Sequence, residues 1–331
     1  MRCRALLLAG LAACAVGVLV ASVFIGPVRL PAKVVWQALT APASVDDTTR
    51  AIVLGTRLPR LCLALLVGAA LAVAGAIMQS FFQNPMADPS IIGVSSGASL
   101  GATVAIVSGL AALAPWGLLP GFAFLGALVA VLVVYLLSRR GGRTPVATLL
   151  LTGIAVGSLM GSISSLIMIR AQRGDMDLVV FWMLGSLANR GWVEAGIVAP
   201  YVLFTTVVAS LYGRYLDILS LGDEQASYLG LSVERVRLAF LAAAAMLAAS
   251  AVAVTGVIGF VGLIVPHTAR LLFGPQHRTL LPLSAVLGMV VLAGADLVAN
   301  LAGEVPVGII TAMLGCPFFL WLLRRREVAR L

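Results

Sequence analysis

An all-α membrane protein of about ten transmembrane helices is the fold class this sequence predicts, and three observations predict it. Hydrophobic residues fill 61% of 331 positions and charged residues only 11%, with a mean hydropathy of +1.09, whereas a soluble domain has roughly 45–50% apolar and 25% charged residues. The apolar residues come in runs that suit helices of about 20 residues, the length needed to cross the hydrocarbon core; they are not the alternating segments of about ten residues that mark a membrane barrel. The basic residues gather at the ends of those runs.

Read between polar or Pro/Gly breaks, the runs predict helices near 6–27, 58–82, 90–110, 118–138, 146–169, 192–213, 236–257, 259–273, 280–300 and 306–323. The segment 259–273 is short for a crossing and carries Pro266, His267 and Arg270; without it the two termini would fall on opposite sides. Residues 1–20 resemble a secretory signal, and Leu11-Ala12-Ala13-Cys14 a lipoprotein processing box. The apolar run continues to Ile25, however, so an uncleaved first helix is the simpler reading. With ten spans and the amino terminus inside, the cytoplasmic face receives 14 of the 22 Lys and Arg residues, and the other face holds Arg29, Lys33, Arg50, Arg57, Arg60, Arg170, Arg173 and Arg190. The positive-inside rule then places both termini in the cytoplasm. The formal charge of +9 records this topology rather than a nucleic-acid partner. Residues 1–331 read as one transmembrane domain with a cytoplasmic segment at 217–237.

Chemistry-bearing motifs are scarce. Lys33 is the only lysine, so no GxxxxGK[ST] phosphate loop exists, and no HExxH or paired-carboxylate pattern is present. Cys3, Cys14, Cys62 and Cys316 lack CxxC spacing. No catalytic, metal or cofactor site is expected in this chain. Asp296 lies within an apolar helix, where an acid costs about 2.5–3.5 kcal/mol unless paired or wet; it is either a proton relay or a buried structural contact, the second being preferred. His267 and Arg270, one turn apart, read as fixing a helix end near water.

Helix breakers say more. Gln83-Asn84-Pro85-Met86-Ala87-Asp88-Pro89-Ser90 joins two apolar helices, with Asp88 or Ser90 able to cap the second. The Gly- and Ser-rich stretch from Gly93 to Gly101 suits either close helix approach or a watery path. Between Asp217 and Arg237, Asp223 can start a helical turn closed by Gly230, and Ser232 a second turn with Glu234, giving two short helices outside the membrane. This segment is either a solvated connector or, through Ala226, Tyr228 and Leu229, an insert for a partner's groove. Ala-Val-Ala-Gly-Ala-Ile at 72–77 and Ala-Val-Thr-Gly-Val-Ile at 253–258 form a faint echo, open to chance or to an inverted repeat.

Several blocks in chain order carry a resemblance. They are Arg57-Leu58-Pro59-Arg60, Gly75-Ala76-Ile77-Met78-Gln79, Asn84-Pro85-Met86-Ala87-Asp88-Pro89, Gly93 to Ala98, Leu229-Gly230, Gly259 to His267 with Arg270, Ala295-Asp296, and Pro306-Val307-Gly308 through Thr311, Gly315, Pro317 and Phe318. Together they resemble the permease family that serves vitamin B12, ferric siderophores and heme. The resemblance implies a ten-helix bundle like the vitamin B12 importer permease, in the bacterial inner membrane. Its implied partners are a second copy, two ATP-binding cassette subunits that carry ATP and Mg, a periplasmic binding protein and membrane lipid. It implies that Asp223, Glu224, Ala226, Tyr228, Leu229 and Gly230 couple to the ATPase, and that Thr144, Pro145, Val146, Ala147 and Thr148 lie near the cytoplasmic gate. Arg57 and Arg60 match arginines that dock the binding protein; simple anchoring at the interface is the other reading. Asn300 departs from the vitamin B12 permease, which has a further docking arginine there. The segment Phe181-Trp182-Met183-Leu184-Gly185-Ser186-Leu187 leans toward heme. A proton-coupled transporter using Asp296 and Glu304, or a membrane enzyme, are the rivals.

Overall fold

The computed structural model describes residues 2–114, 117–139, 141 and 144–328. Arg140, Arg143 and Arg330, which the charge count put at the cytoplasmic face, lie outside the described residues, as do the side chains of Arg2, Arg4, Arg325 and Arg326. The chain is helical and, among the described residues, holds no strand. In order the helices are α1 (Arg2–Phe24), α2 (Ala32–Thr40), α3 (Asp47–Arg50), α4 (Leu58–Phe81), α5 (Val94–Val107), α6 (Leu110–Leu113), α7 (Leu118–Ser138), α8 (Val146–Ile169), α9 (Arg173–Met183), α10 (Trp192–Leu211), α11 (Gly213–Leu219), α12 (Asp223–Tyr228), α13 (Val233–Thr255), α14 (Val261–Phe273), α15 (His277–Leu301) and α16 (Val307–Val328). Among the described residues six are long and apolar enough to cross a membrane, and four shorter apolar helices accompany them, at the ten expected places. In hydrocarbon, helices are the solution because every backbone N–H and C=O is satisfied within the segment.

Helix α4 is the axis. Every residue from Leu66 to Phe81 is buried, and α10, α13, α14 and α15 pack around it. Its small residues make this possible: a Cβ on Gly75 would lie 1.8 Å from the Gly262 carbonyl oxygen in α14, and one on Gly68 would lie 2.2 Å from the Gly288 oxygen in α15. The Gly/Ser stretch resolves toward close approach, since Gly97 and Gly101 of α5 abut the backbone of α7 at Gly126 and Phe122. Helix α14, the doubtful span, exists with 13 residues, about 20 Å at 1.5 Å per residue. It starts after a break in which Gly256 and Phe260 both take positive φ.

Four features differ from the sequence reading. A π-helical turn, Ala51–Arg57, runs without interruption from α3 into α4, so Arg57, just before the expected 58–82 helix, is helical as well. Helix α2 and helix α9 were not expected; Val35 and Ala38 bury one face of α2, and α9 opens on Arg173 and Asp175. Ser232 starts the long span α13 directly, so the second short helix of the 217–237 region is α11, which precedes α12. The echoed segments also differ locally, because Gly75 lies within α4 while Gly256 ends α13.

Because backbone meets backbone at Gly75, Gly75→Leu should separate α4 from α14, at a cost of at least the 1–3 kcal/mol usual for overpacking. Size-exclusion profiles and melting in detergent check this, with Gly55→Ala, whose Cβ meets nothing within 4 Å, as the variant expected to behave like the parent.

Candidate functional site

The polar groups of the bundle collect at its two ends. At the end where α4 starts, Arg60 of α4 forks onto Asp296 of α15: Nε donates to Oδ2 at 2.9 Å and a terminal nitrogen donates to Oδ1 at 2.8 Å. Both residues are buried, at 8% and 5% exposure. Bidentate geometry is what makes a buried pair tolerable in a low-dielectric setting. Arg57 donates to the Val23, Phe24 and Val28 carbonyls at 2.8, 3.1 and 2.5 Å; a guanidinium there meets the free carbonyls at the carboxyl end of α1 and complements its dipole.

Arg57 and Arg60, the docking residues that the resemblance implies, are thus both bonded inside the chain. Both guanidiniums are committed within the chain, because the continuous helix carries them inward. The exposed cations of this face are Arg29, Lys33, Arg50, Arg170 and Arg173. Asp296 is the structural contact that was preferred, and the proton-relay alternative gains no support, since Arg60 holds both carboxylate oxygens. Asn300 and Glu304 line a small cavity of about 50 Å³ beside this pair.

At the opposite end lies α12. Gly222 precedes it, Asp223 and Glu224 occupy its first turn, and Gly230 at φ 82° closes it. The Gly230 N–H donates to Ser227 and the Leu231 N–H to Ala226, at 2.9 and 3.0 Å, the paired bonds of a Schellman stop. Ala226 is fully buried, while Tyr228 and Leu229 stand 90% and 64% exposed.

Arg237, in the first turns of α13, joins this helix to the rest. Its guanidinium donates to Asp223 of α12 at 2.7 Å and to the Thr144 carbonyl at 3.5 Å, and sits 5.7 Å from the centre of the Phe81 ring at the end of α4. Glu234 in turn accepts from the Thr144 N–H at 3.0 Å. One buried cation thus connects α12, the segment before α8 and the tip of α4. Thr144 is buried, Val146 and Thr148 are partly buried, and Pro145 and Ala147 are exposed.

A second cluster at this end has the composition of a Ser-His-Asp triad. His277 Nδ1 lies 2.6 Å from Asp217 Oδ1 and Nε2 contacts the Ser80 hydroxyl. With Nδ1–H donating to the carboxylate, Nε2 competes for the Ser80 proton with the Ala76 carbonyl, 3.1 Å from the hydroxyl. His277 is 2% exposed and Ser80 4%, so a substrate has no access to the hydroxyl and the cluster serves as a tie between α4, α11 and α15. Arg237 and this cluster escaped sequence reasoning because their partners lie as far as 197 residues apart. The only signal was polar residues at the ends of apolar runs.

The face of α8 is unlike the others. Only Leu149, Gly153, Val156 and Ser164 are buried. Ser158, Ser162 and Ser165 are exposed among the exposed Leu151, Ile154, Leu159, Leu166 and Ile169, and the hydroxyls of Ser162 and Ser165 bond back to Ser158 and Gly161 at 2.9 and 3.0 Å. Near it, Phe181, Trp182, Asp175 and Arg190 help line a cavity of about 400 Å³. No group of three or more His, Cys, Asp or Glu suited to a metal occurs among the described residues.

Bundle, buried ion pair and exposed helix α12 define a multi-pass transport permease. The chain belongs to the FecCD transport family, whose model matches residues 14–325. It is 46% identical over 303 residues to the cobalamin import system permease protein BtuC of Halobacterium salinarum, covering 89% of this chain and 81% of that one. It is 40% identical over 314 residues to the hemin transport system permease protein HmuU of Yersinia pestis, covering 91% and 90%. A solved metal-chelate type ABC transporter in an inward-facing conformation superposes with a TM-score of 0.85 at 31% identity, over 96% of this chain and 99% of that one.

Truncating one side of a buried pair costs about 3–5 kcal/mol, whereas an apolar replacement of both partners is often neutral. Arg60→Ala and Asp296→Ala should therefore each lower the melting temperature in detergent strongly, and Arg60→Met combined with Asp296→Leu should recover most of the loss. Single variants that melt like the parent would exclude the pair as a structural tie.

Proposed function

We propose that two copies of this chain form the translocation path of an ATP-driven importer that carries a metal chelate, heme first and otherwise a ferric siderophore or cobalamin, into the cytoplasm. The observation that carries the reading is Arg237, bonded at once to Asp223 of α12 and to Thr144 before α8. An ATPase subunit that seats Tyr228 and Leu229 in its groove moves α12, and Arg237 passes that motion to the 144–148 segment as a gate. Exposed aromatic and aliphatic side chains on a short, well-stopped helix suit such a groove. On this reading α12 and both termini are cytoplasmic, the membrane is the bacterial inner membrane, and ATP with Mg is held by the partner subunits.

The second copy covers α8, whose exposed hydroxyls would then face a shared aqueous path. A surface whose hydroxyls are already satisfied lets a large ligand pass without tight binding. The lean to heme rests on Phe181 and Trp182 beside Arg190 in the outer cavity, flat rings and a cation that suit a planar macrocycle with carboxylates. Relatives of similar identity are named for cobalamin, hemin, ferric citrate and ferric hydroxamate, so the lean to heme stands on the cavity residues alone. A periplasmic binding protein docks on the face of α2 and α3, where Arg29, Lys33 and Arg50 steer an acidic partner, with Arg57 and Arg60 holding that face in shape.

Proteoliposomes holding this chain, its ATPase and its binding protein test the reading. Heme should accumulate only with ATP and both partners, beside arms with cobalamin and a ferric siderophore. Uptake of another chelate would move the cargo assignment, and uptake driven by a proton gradient without ATPase would overturn the mechanism. Arg237→Gln should reduce uptake at least tenfold while the ATPase still copurifies, whereas Tyr228→Ala with Leu229→Asp should abolish copurification.

A further inference from the structure

Helices α10 and α13 leave an open furrow of about 950 Å³ that runs along α10 from Pro200 to Tyr212 and along α13 from Met246 to Arg235. At 1.5 Å per residue it is about 18 Å long, about three fifths of a hydrocarbon core about 30 Å thick. On the α13 wall the small side chains of Ala239, Ala242 and Ala243 leave room between Val236, Phe240 and Met246. Beside it α10 presents Leu203, Phe204, Val207 and Leu211, all more than half exposed. This face is mostly hydrocarbon, with Thr205 the one hydroxyl between Tyr201 and the tyrosines at the end of the furrow.

The two ends of the furrow differ. The deep end has no charge, and the end level with α12 carries Arg235, which has no ion-pair partner among the described residues. Tyr212 and Tyr215 stand at the same level, their rings stacked at 5.9 Å. Tyrosines in this position mark the headgroup layer, and a basic residue above an apolar slot between helices is the arrangement that takes a lipid phosphate.

We propose that this furrow is a binding site for one anionic phospholipid, with its phosphate on Arg235 and an acyl chain along Phe204, Ala239 and Ala243. Lipid tails gain nothing by leaving other lipid for an apolar slot, so selectivity resides in the headgroup. One basic residue near an anionic surface contributes roughly 1 kcal/mol, which sets the expected preference for phosphatidylglycerol over phosphatidylcholine at about fivefold.

Native mass spectrometry of the detergent-purified chain, titrated with these two lipids bearing matched acyl chains, tests the site without ATP or partner subunits. A failure of transport and a failure of this site are therefore read separately. The parent should retain phosphatidylglycerol about fivefold more tightly than phosphatidylcholine. Arg235→Gln should retain one phosphatidylglycerol fewer, and Ala239→Phe, which fills the slot, should weaken both lipids. Arg139→Gln, an exposed cation at the same end of α7, should leave the count unchanged. Equal retention of the two lipids by the parent, or an unchanged count in folded Arg235→Gln, would overturn the proposal. So would a polypeptide seated on this face in an experimental map of the assembled importer.

Discussion

Helix α4 can occupy the centre of the bundle only because it is nearly without side-chain bulk where its neighbours cross it. Lipid supplies no hydrophobic force to hold helices together, so association depends on van der Waals contact and on polar ties. The first comes from Gly68 and Gly75, which let α15 and α14 touch α4 through their carbonyls. The second comes from the ends of α4, Arg60 on Asp296 at one and Ser80 on His277 at the other. Removal of either class of contact would leave a helix with no reason to be central.

The same economy governs the charges. A charged side chain in hydrocarbon is costly unless paired, and three arginines that enter the bundle are held by partners inside it. Arg57 reads the carboxyl end of α1, Arg60 neutralises Asp296, and Arg237 serves Asp223, Glu234 and Thr144 together. These are also the places where chain segments remote in sequence meet. Electrostatic necessity and mechanical connection therefore coincide: the residues that cannot be left unpaired are those that link moving parts.

Most of the fold was legible because membrane helices are written as local composition. The ten apolar helices, the Gly230 stop of α12 and the structural use of Asp296 all follow from residues within a turn or two of one another, or from the cost of an unpaired acid. Three things were not legible. Helices α2 and α9 are short and lie outside the long apolar runs, so length-based reading passes over them. The π-helical turn at Ala51–Arg57 changes what Arg57 and Arg60 can reach, and no residue type announces it. The partners of Arg237 and His277 are set by tertiary packing, which a single sequence does not display.

The glycine contacts of α4 have a consequence for stiffness. Contacts between side chains can repack by rotamer changes, but backbone against backbone at Gly75 and Gly262, and at Gly68 and Gly288, offers no such slack. Helices α4, α14 and α15 are consequently a single rigid strut. Any shape change in this chain has to be taken up at the joints around that strut, in the loosely held α8 and in the short helices at either end.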